Sequence, residues 1–189
     1  MQHIGKSVAI FGCAESRFLQ MREDGNVGIL DDAAVNPKKL ESWRTWERFL
    51  VVDAGHGKIA LHNAHHNRFL RIYGEDVDAQ GGVCESSKLP SNWDSERFSV
   101  VDAGNGKVAF HNAKHNRFMR IWSNEVDAKG GVKDVGSLPP ESEWGSERFI
   151  IVPHPLSQEE KTSGGGSAGA MELPPDYENK GKIASVNKR

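Results

Sequence analysis

Five histidines lie in two similar stretches of the chain, and four of them stand at matching places. His62, His65 and His66 lie in the first stretch, and His111 and His115 lie in the second. Because histidine changes its charge near pH 6.5, such a cluster predicts a contact surface controlled by protons. Polar residues that only stabilise surface turns are the second interpretation. A metal site is the third, and it is disfavoured because no carboxylate or cysteine recurs nearby to complete the ligand shell.

Two arginines recur close to these histidines. Arg71 and Arg120 each stand three residues after another arginine, whereas a fainter, earlier version of the pattern carries Gln20 at the matching place. One interpretation is structural, with the arginines forming pseudo-symmetric salt bridges across the copies. The other is a basic edge that binds an acidic protein surface. The asymmetry favours a binding function for Arg71 and Arg120.

The histidines and arginines belong to a threefold internal repeat. Residues 57–72 return almost unchanged as residues 106–121, and a fainter first copy covers residues 7–21. Every copy closes on a Glu-Arg-Phe triplet and a run rich in β-branched residues. Since a fixed period marks a repeat architecture, we predict three copies, at 6–55, 56–104 and 105–154.

Each copy is predicted to contain four short strands and no helix. The run at 59–62 alternates large side chains, and a turn ending at Asn67 leads into a second run. A third run precedes Gly81-Gly82, and a fourth follows Arg97. Propellers usually have four to eight blades, so three copies fit an all-β β-trefoil better. Each copy then gives two strands to a closed barrel and two to a hairpin cap.

The apolar positions shared by the copies are predicted to fill the core. These positions are Phe18, Phe69, Phe118, Phe49, Phe98, Phe149, Leu70, Met119, Val100 and Ile151.

The repeat resembles that of the fascin and hisactophilin family of actin-binding β-trefoils. The resemblance rests on the pattern Gly-Lys-Val-Ala-Phe-His-Asn-Ala-x-His-Asn-Arg-Phe-Met-Arg, which starts at Gly106, and on the closing Trp-x-x-Glu-Arg-Phe. It covers about residues 6–154. The resemblance implies a non-enzymatic, cytoskeletal binding module that engages actin or another protein, with a pH dependence arising from surface histidines.

A carbohydrate-binding trefoil is the alternative, because many trefoils bind sugars in each copy. Asp78, Asp127 and the Gly-Gly segments are suited to shallow polar pockets, and Trp93, Trp122 and Trp144 are suited to stacking on sugars. Trp93 and Trp144 precede the fourth strand at equivalent positions, so capping the barrel is their other interpretation. The ricin-type Gln-x-Trp signature is absent.

Composition and targeting signals restrict the cellular compartment and the classes of partner that are expected for the chain. The chain has 189 residues and a net charge of −2, so it lacks a general positive field that would gather nucleic acid. We predict no signal peptide, and no apolar stretch is long enough to span a membrane. Gln2 stands where N-myristoylation requires glycine. With Cys13 and Cys84 expected as free thiols, the chain is predicted to be cytoplasmic.

Catalytic signatures are missing from the sequence. There is no nucleophile elbow, phosphate-binding loop or zinc-protease helix. The polar residues mostly repeat, whereas a catalytic centre is usually asymmetric. We therefore predict no enzyme activity and no cofactor.

The segment 155–189 differs in amino-acid composition from the repeat. Its Gly/Ser-rich part is a flexible linker by composition, and the whole segment is predicted to be disordered. Pro174, Pro175 and Tyr177 form a Pro-Pro-x-Tyr sequence, the type of ligand that WW domains bind. A scaffold that recruits a WW-domain protein through this tail is thus a further hypothesis.

Overall fold

The computed structural model of the protein describes residues 3–30 and 40–154. The predicted linker and tail, 155–189, lie outside the described residues, and so do Pro174, Pro175 and Tyr177. Within the described part, no helix is long and apolar enough to cross a bilayer.

The described residues form fourteen short strands, and a 3-10 turn at Ser86–Lys88 is their only helical element. The twelve predicted strands are all present, because two of them are each divided by one residue, Leu70 or Met119. The strands are β1 (Ser7–Gly12), β2 (Arg17–Met21), β3 (Val27–Ile29), β4 (Phe49–Gly55), β5 (Lys58–Asn63), β6 (Arg68–Phe69), β7 (Arg71–Tyr73), β8 (Asp76–Asp78), β9 (Ser99–Asp102), β10 (Val108–Asn112), β11 (Arg117–Phe118), β12 (Arg120–Trp122), β13 (Glu125–Asp127) and β14 (Phe149–Pro153).

Six of the strands close into a barrel. Strand β1 pairs with β14 and β4, β4 pairs with β5, and β10 pairs with β9 and β14. A bridge between Ile59 and Phe98 joins β5 to β9 and completes the ring. Because the ring is closed, the barrel has no long free edge at which another chain would pair.

Three hairpins cap one end of the barrel. They are formed by β2 with β3, β7 with β8, and β12 with β13. Bridges at Asp76–Asp127 and Asn26–Asp78 tie the hairpins to one another. At Leu70 and Met119, both fully buried, the chain passes from the barrel into a hairpin. The predicted division of each copy into two barrel strands and two cap strands is confirmed.

The shared aromatic positions form the core, as predicted. Phe49, Phe98 and Phe149 are completely buried, and the other three repeated phenylalanines are 1% exposed. Burying each such side chain stabilises the fold by roughly 1.5–3 kcal/mol. Val100 and Ile151 are only partly buried, because they line the open end of the barrel. Cys13 and Cys84 are free and half-buried.

Two buried asparagines hold the turns of the second and third copies. Asn112 is inaccessible to solvent, and its Nδ2 donates to the carbonyl oxygens of Asp94, Ser95 and Arg97 at 2.9, 2.9 and 3.0 Å. Its Oδ1 accepts from the backbone N–H of His115 at 3.1 Å. Asn63 makes the same set of bonds in the second copy. Each asparagine thus joins its turn to the segment that precedes the fourth strand of the previous copy.

Replacing Asn112 with alanine should lower the free energy of unfolding by about 2–3 kcal/mol, because buried carbonyl groups lose their donor. Urea denaturation followed by tryptophan fluorescence measures this change. Ser91→Ala, at an exposed position, is the control and should stay within about 0.5 kcal/mol of the parent. Equal stability of the two variants would contradict the role assigned to Asn112.

Candidate functional site

The structure divides the five histidines into two groups, of which the first is buried. His62 and His111 are 3% and 2% exposed. Nε2 of His62 donates to the carbonyl oxygen of Cys84 at 2.9 Å, and Nε2 of His111 donates to that of Lys133 at 2.9 Å. The expectation that these two histidines lie on the surface is wrong. Side chains at this position of the repeat point into the protein interior, and the first copy has the buried Phe11 there.

The second group lies where the turn of one copy meets the hairpin of the copy before it. Nε2 of His66 lies 3.1 Å from the carbonyl oxygen of Met21. Nε2 of His115 lies 3.1 Å from Oγ of Ser95, and its Nδ1 accepts from the backbone N–H of Gly74 at 3.4 Å. His65 is exposed beside His66. These three histidines are therefore parts of the junctions between copies.

Burial shifts the titration of the junction histidines away from neutral pH. It lowers the pKa of His66 to about 4, with the neighbouring His65 adding to the effect. Desolvation also lowers the pKa of His115, and it lowers that of His65 because this otherwise exposed side chain packs its ring beside those of Trp46 and His66. A proton-controlled change through these groups therefore lies on the acid side of the pH 6.5 that the sequence predicts.

The two predicted binding arginines are engaged within their own hairpins. Arg71 Nε lies 2.5 Å from Oδ1 of Asp78, and Arg120 Nε lies 2.5 Å from Oδ1 of Asp127. A second contact of 3.3 Å makes each pair bidentate. In the first copy both partners are absent, because Gln20 faces Gly28 across the hairpin. The positive charges of Arg71 and Arg120 are thus balanced inside the fold.

Each of these guanidinium groups also lies over an exposed aromatic ring. Arg71 Cζ is 4.9 Å from the ring centre of Tyr73, and Arg120 Cζ is 5.9 Å from that of Trp122. Tyr73 and Trp122 are 60% and 57% exposed, which is unusual for side chains of this size. They mark two equivalent places on the hairpin cap.

A polar cleft of about 160 Å³ opens beside Tyr73 and is called the Tyr73 cleft below. Two aromatic rings, those of Tyr73 and Trp93, supply its apolar walls. The remaining lining residues, all polar or glycine, are Arg71, Gly81, Asn92, Asp94, Ser95, Glu96 and Lys114. Lys114 comes from the turn of the third copy, so the cleft spans a junction.

Gly81 allows the base of the cleft to pack tightly. A Cβ atom at Gly81 would lie 2.6 Å from Oε1 of Glu96 and 3.6 Å from the Trp93 ring. Glu96 is buried there, and burial raises the pKa of its carboxyl group, with Arg71 opposing the rise. The Gly-Gly segment, the half-buried tryptophan and the carboxylate therefore form one unit.

The third copy repeats this unit of residues beside Trp122, and that place, named for its equivalence to the Tyr73 cleft, is called the Trp122 cleft below. A Cβ atom at Gly130 would lie 2.6 Å from Oε1 of Glu147 and 3.4 Å from the Trp144 ring. Burial raises the pKa of Glu147 as it does that of Glu96. The first copy lacks both aromatic residues, since Arg22 and Arg44 stand at the matching places.

A larger cavity, of about 370 Å³, opens at the barrel end that carries the turn between β9 and β10. Its walls are mostly aliphatic, with Val51, Val100 and Ile151 among them. Lys107 at its rim is ion-paired with Glu141. We place the candidate site at the Tyr73 and Trp122 clefts instead, because they combine exposed aromatic rings with several polar groups.

Comparisons with known proteins agree on the architecture. No protein-family model matches the chain, and no curated protein does. SeviL, solved bound to asialo-GM1 saccharide, matches with a TM-score of 0.53 and 12% identity over 78% of this chain and 97% of that one. ThreeFoil, a designed threefold symmetric protein, matches with a TM-score of 0.54 and 12% identity over 77% of this chain and 97% of that one. The chain is a β-trefoil. At such low identity the likeness concerns the fold alone.

Sequence reasoning named only part of the clefts. It singled out Trp93, Trp122 and Trp144, with Asp78 and Asp127, as candidates for sugar contact. It missed a second set, Tyr73, Asn92, Asp94 and Lys114. An aromatic residue recurring at the end of the second strand, where the first copy has Arg22, was the available signal. No cluster of three metal-ligating side chains is found in residues 3–30 and 40–154.

Acid should destabilise the protein partly through His66. Because folding lowers the pKa of His66 from 6.5 to about 4, the unfolded chain binds this proton more readily between those values. The free energy of unfolding therefore falls as the pH drops from 6.5 to 4, and His66→Gln should make that slope shallower. Denaturation at a series of pH values measures the slope. Lys88→Gln, which removes an exposed charge, should keep the parent slope, and equal slopes for both variants would contradict this assignment.

Gly81→Ala should destabilise the protein by about 1–3 kcal/mol, because the added methyl group collides with the Glu96 carboxylate. Gly136→Ala is the matched control, since a Cβ atom there meets nothing within 4 Å. Thermal unfolding of the two variants compares them. A Gly81→Ala protein as stable as the control would show that the base of the Tyr73 cleft is loosely packed.

Proposed function

We propose that the protein is a glycan-binding module whose sites are the Tyr73 and Trp122 clefts. The observation that carries the proposal is the repeated unit in each cleft. An exposed aromatic ring stands over a bidentate Arg–Asp pair, next to a half-buried tryptophan and a buried glutamate. Both units occur in the copies that the sequence marked as different from the first.

The chemistry of these clefts matches that of a sugar. A pyranose ring has an apolar face of C–H groups, which packs against an aromatic ring, and hydroxyl groups around its edge, which need donors and acceptors. Tyr73 and Trp93 supply the rings, and Asn92, Asp94 and Ser95 supply the polar groups. The cleft of about 160 Å³ is smaller than the roughly 300–1,000 Å³ of sites for drug-sized ligands, and this size suits a single sugar ring.

The structural neighbours support a binding module of this kind. SeviL was solved with a saccharide bound, and it shares the trefoil fold with this chain. Because fold alone does not fix function, the argument for this chain rests on the two clefts. The fascin-like resemblance and actin as a partner have no such support from the neighbours.

Binding of the labelled 189-residue chain to a glycan array tests the proposal directly. The parent should bind a subset of printed glycans, and Tyr73→Ser combined with Trp122→Ser should weaken that binding about tenfold or more by removing both stacking surfaces. Arg22→Ser, which changes the matching position of the first copy, is the control and should bind as the parent does. An array without hits, or a double variant that binds like the parent, would remove the proposal.

A protein partner, with actin as the candidate, is the second proposal. Val83 and Val132 favour it, since they are 67% and 61% exposed at equivalent places next to the clefts. Filament co-sedimentation at pH 6 and pH 7.5 tests the actin version, and no pelleting at either pH would remove it.

We also propose that the protein is not an enzyme and resides in the cytoplasm. Recruitment of a WW-domain protein through the tail stays a prediction.

A further inference from the structure

The Tyr73 and Trp122 clefts share a frame but face different turns. The turn of the third copy faces Tyr73, because the ring of His115 lies 5.8 Å from that of Tyr73 and bonds to Gly74. The turn of the first copy faces Trp122, because Oε1 of Glu15 accepts from the backbone N–H of Ser123 at 3.3 Å. His115 and Glu15 occupy the same position of the repeat. Each cleft therefore takes its outer wall from another copy.

Because its outer wall comes from the third copy, the Tyr73 cleft contains the positively charged side chain of Lys114. Lys114 lines the cleft, is exposed, and forms no ion pair with any carboxylate in residues 3–30 and 40–154. The arginine of the same cleft is neutralised, since Arg71 is held bidentately by Asp78. Two carboxyl groups also line the cleft. That of Asp94 lies 4.0 Å from Nε of Arg97, and that of Glu96 is buried, which raises its pKa. Lys114 is thus the cation available to a ligand.

The Trp122 cleft has the opposite character. The position of Lys114 is taken by Ala14, and the neighbouring wall residue is the carboxylate Glu15. The position of Asn92 is taken by Glu143, which is exposed. Arg120 is again held by its own aspartate, Asp127. The turn that faces this cleft brings no lysine or unpaired arginine to it. One lysine of the third copy itself, Lys133, lies near it, with Nζ 6.0 Å from the ring centre of Trp144, and the two carboxylates Glu15 and Glu143 outnumber it.

We propose that the Tyr73 cleft binds acidic sugars, through an ion pair between Lys114 and a carboxylate or sulfate group, and that the Trp122 cleft prefers uncharged sugars. The inference rests on the proposed glycan-binding function and adds that its two sites differ in the charge of the sugars they bind. An ammonium group attracts either anion as a point charge. The carboxylates Glu15 and Glu143 repel the same anions at the other cleft.

The test separates the two clefts in the full-length chain and uses matched glycans. Trp122→Ser leaves the Tyr73 cleft, and Tyr73→Ser leaves the Trp122 cleft. The probes are galactose-terminated oligosaccharides, each compared with the same oligosaccharide carrying a sialic acid or a sulfate. We expect the Trp122→Ser protein to bind acidic members more tightly than neutral ones. The Tyr73→Ser protein should bind neutral members more tightly than acidic ones.

Exchange of the charge then tests Lys114 itself. In the Trp122→Ser background, Lys114→Ala should lower the ratio of acidic to neutral affinity about three- to tenfold, and Lys114→Arg should retain most of that ratio. In the Tyr73→Ser background, Ala14→Lys should raise the ratio. Because both positions are exposed, all variants should fold, which circular dichroism checks. Lys6→Ala, at an exposed position outside the segments that line the Tyr73 cleft, is the control and should leave the ratio unchanged.

The possible results separate this inference from the function on which it rests. An unchanged ratio in Lys114→Ala, with glycan binding intact, would overturn the role of Lys114 and leave the glycan-binding function standing. Equal binding of acidic glycans by the Tyr73→Ser protein would overturn the division between clefts. Absence of any glycan binding by the parent chain would remove both. A ratio that falls with added salt only when Lys114 is present supports the ion pair.

Discussion

One shared core forces the three copies to fold as a unit. Each copy contributes at least one phenylalanine to the central core, and a single copy cannot bury that ring alone. Phe49, Phe98 and Phe149 become inaccessible to solvent only when the barrel strands of all three copies close into one ring. Because such burial is the main favourable term in folding, the ring fixes the order of the copies around the barrel. The order of the copies in turn decides which turn meets which hairpin.

The junctions between copies are the places where chemistry varies. Residues within a copy must satisfy the same packing three times, and they repeat as a consequence, as Phe18, Phe69 and Phe118 do. Residues at a junction contact a neighbouring copy and are free of that requirement. His66, His115 and Glu15 share one position of the repeat, yet they contact Met21, Ser95 and Ser123 respectively. A pseudo-symmetric frame can thus carry sites with different charges.

The histidines show how strongly burial decides the role of a residue type. His62 and His111 pack against Phe69 and Phe118, with ring centres 4.8 Å apart in both pairs. Each replaces an aromatic residue of the first copy and adds a hydrogen bond to a backbone carbonyl group. The junction histidines keep some contact with water, but desolvation still opposes their protonation. Enrichment in histidine therefore marks interior and junction positions here, and a proton switch near neutral pH has little support in their surroundings.

The sequence by itself determined the fold. The threefold period, the strand signals and the recurring phenylalanines were enough for the trefoil, its strands and its core, since these features depend on local spacing and on burial that every copy shares. The sequence also marked the Gly-Gly segments, Trp93 and Trp144, which are the frame of the clefts. Only the tertiary structure decided that His62 lies inside, that Arg71 is held by Asp78, and that Lys114 faces Tyr73. The pairing of Arg71 with Asp78 depends on the register of one hairpin. The burial of His62 and the approach of Lys114 to Tyr73 depend on which side chains become neighbours when the barrel closes, and a period along the chain contains neither kind of information.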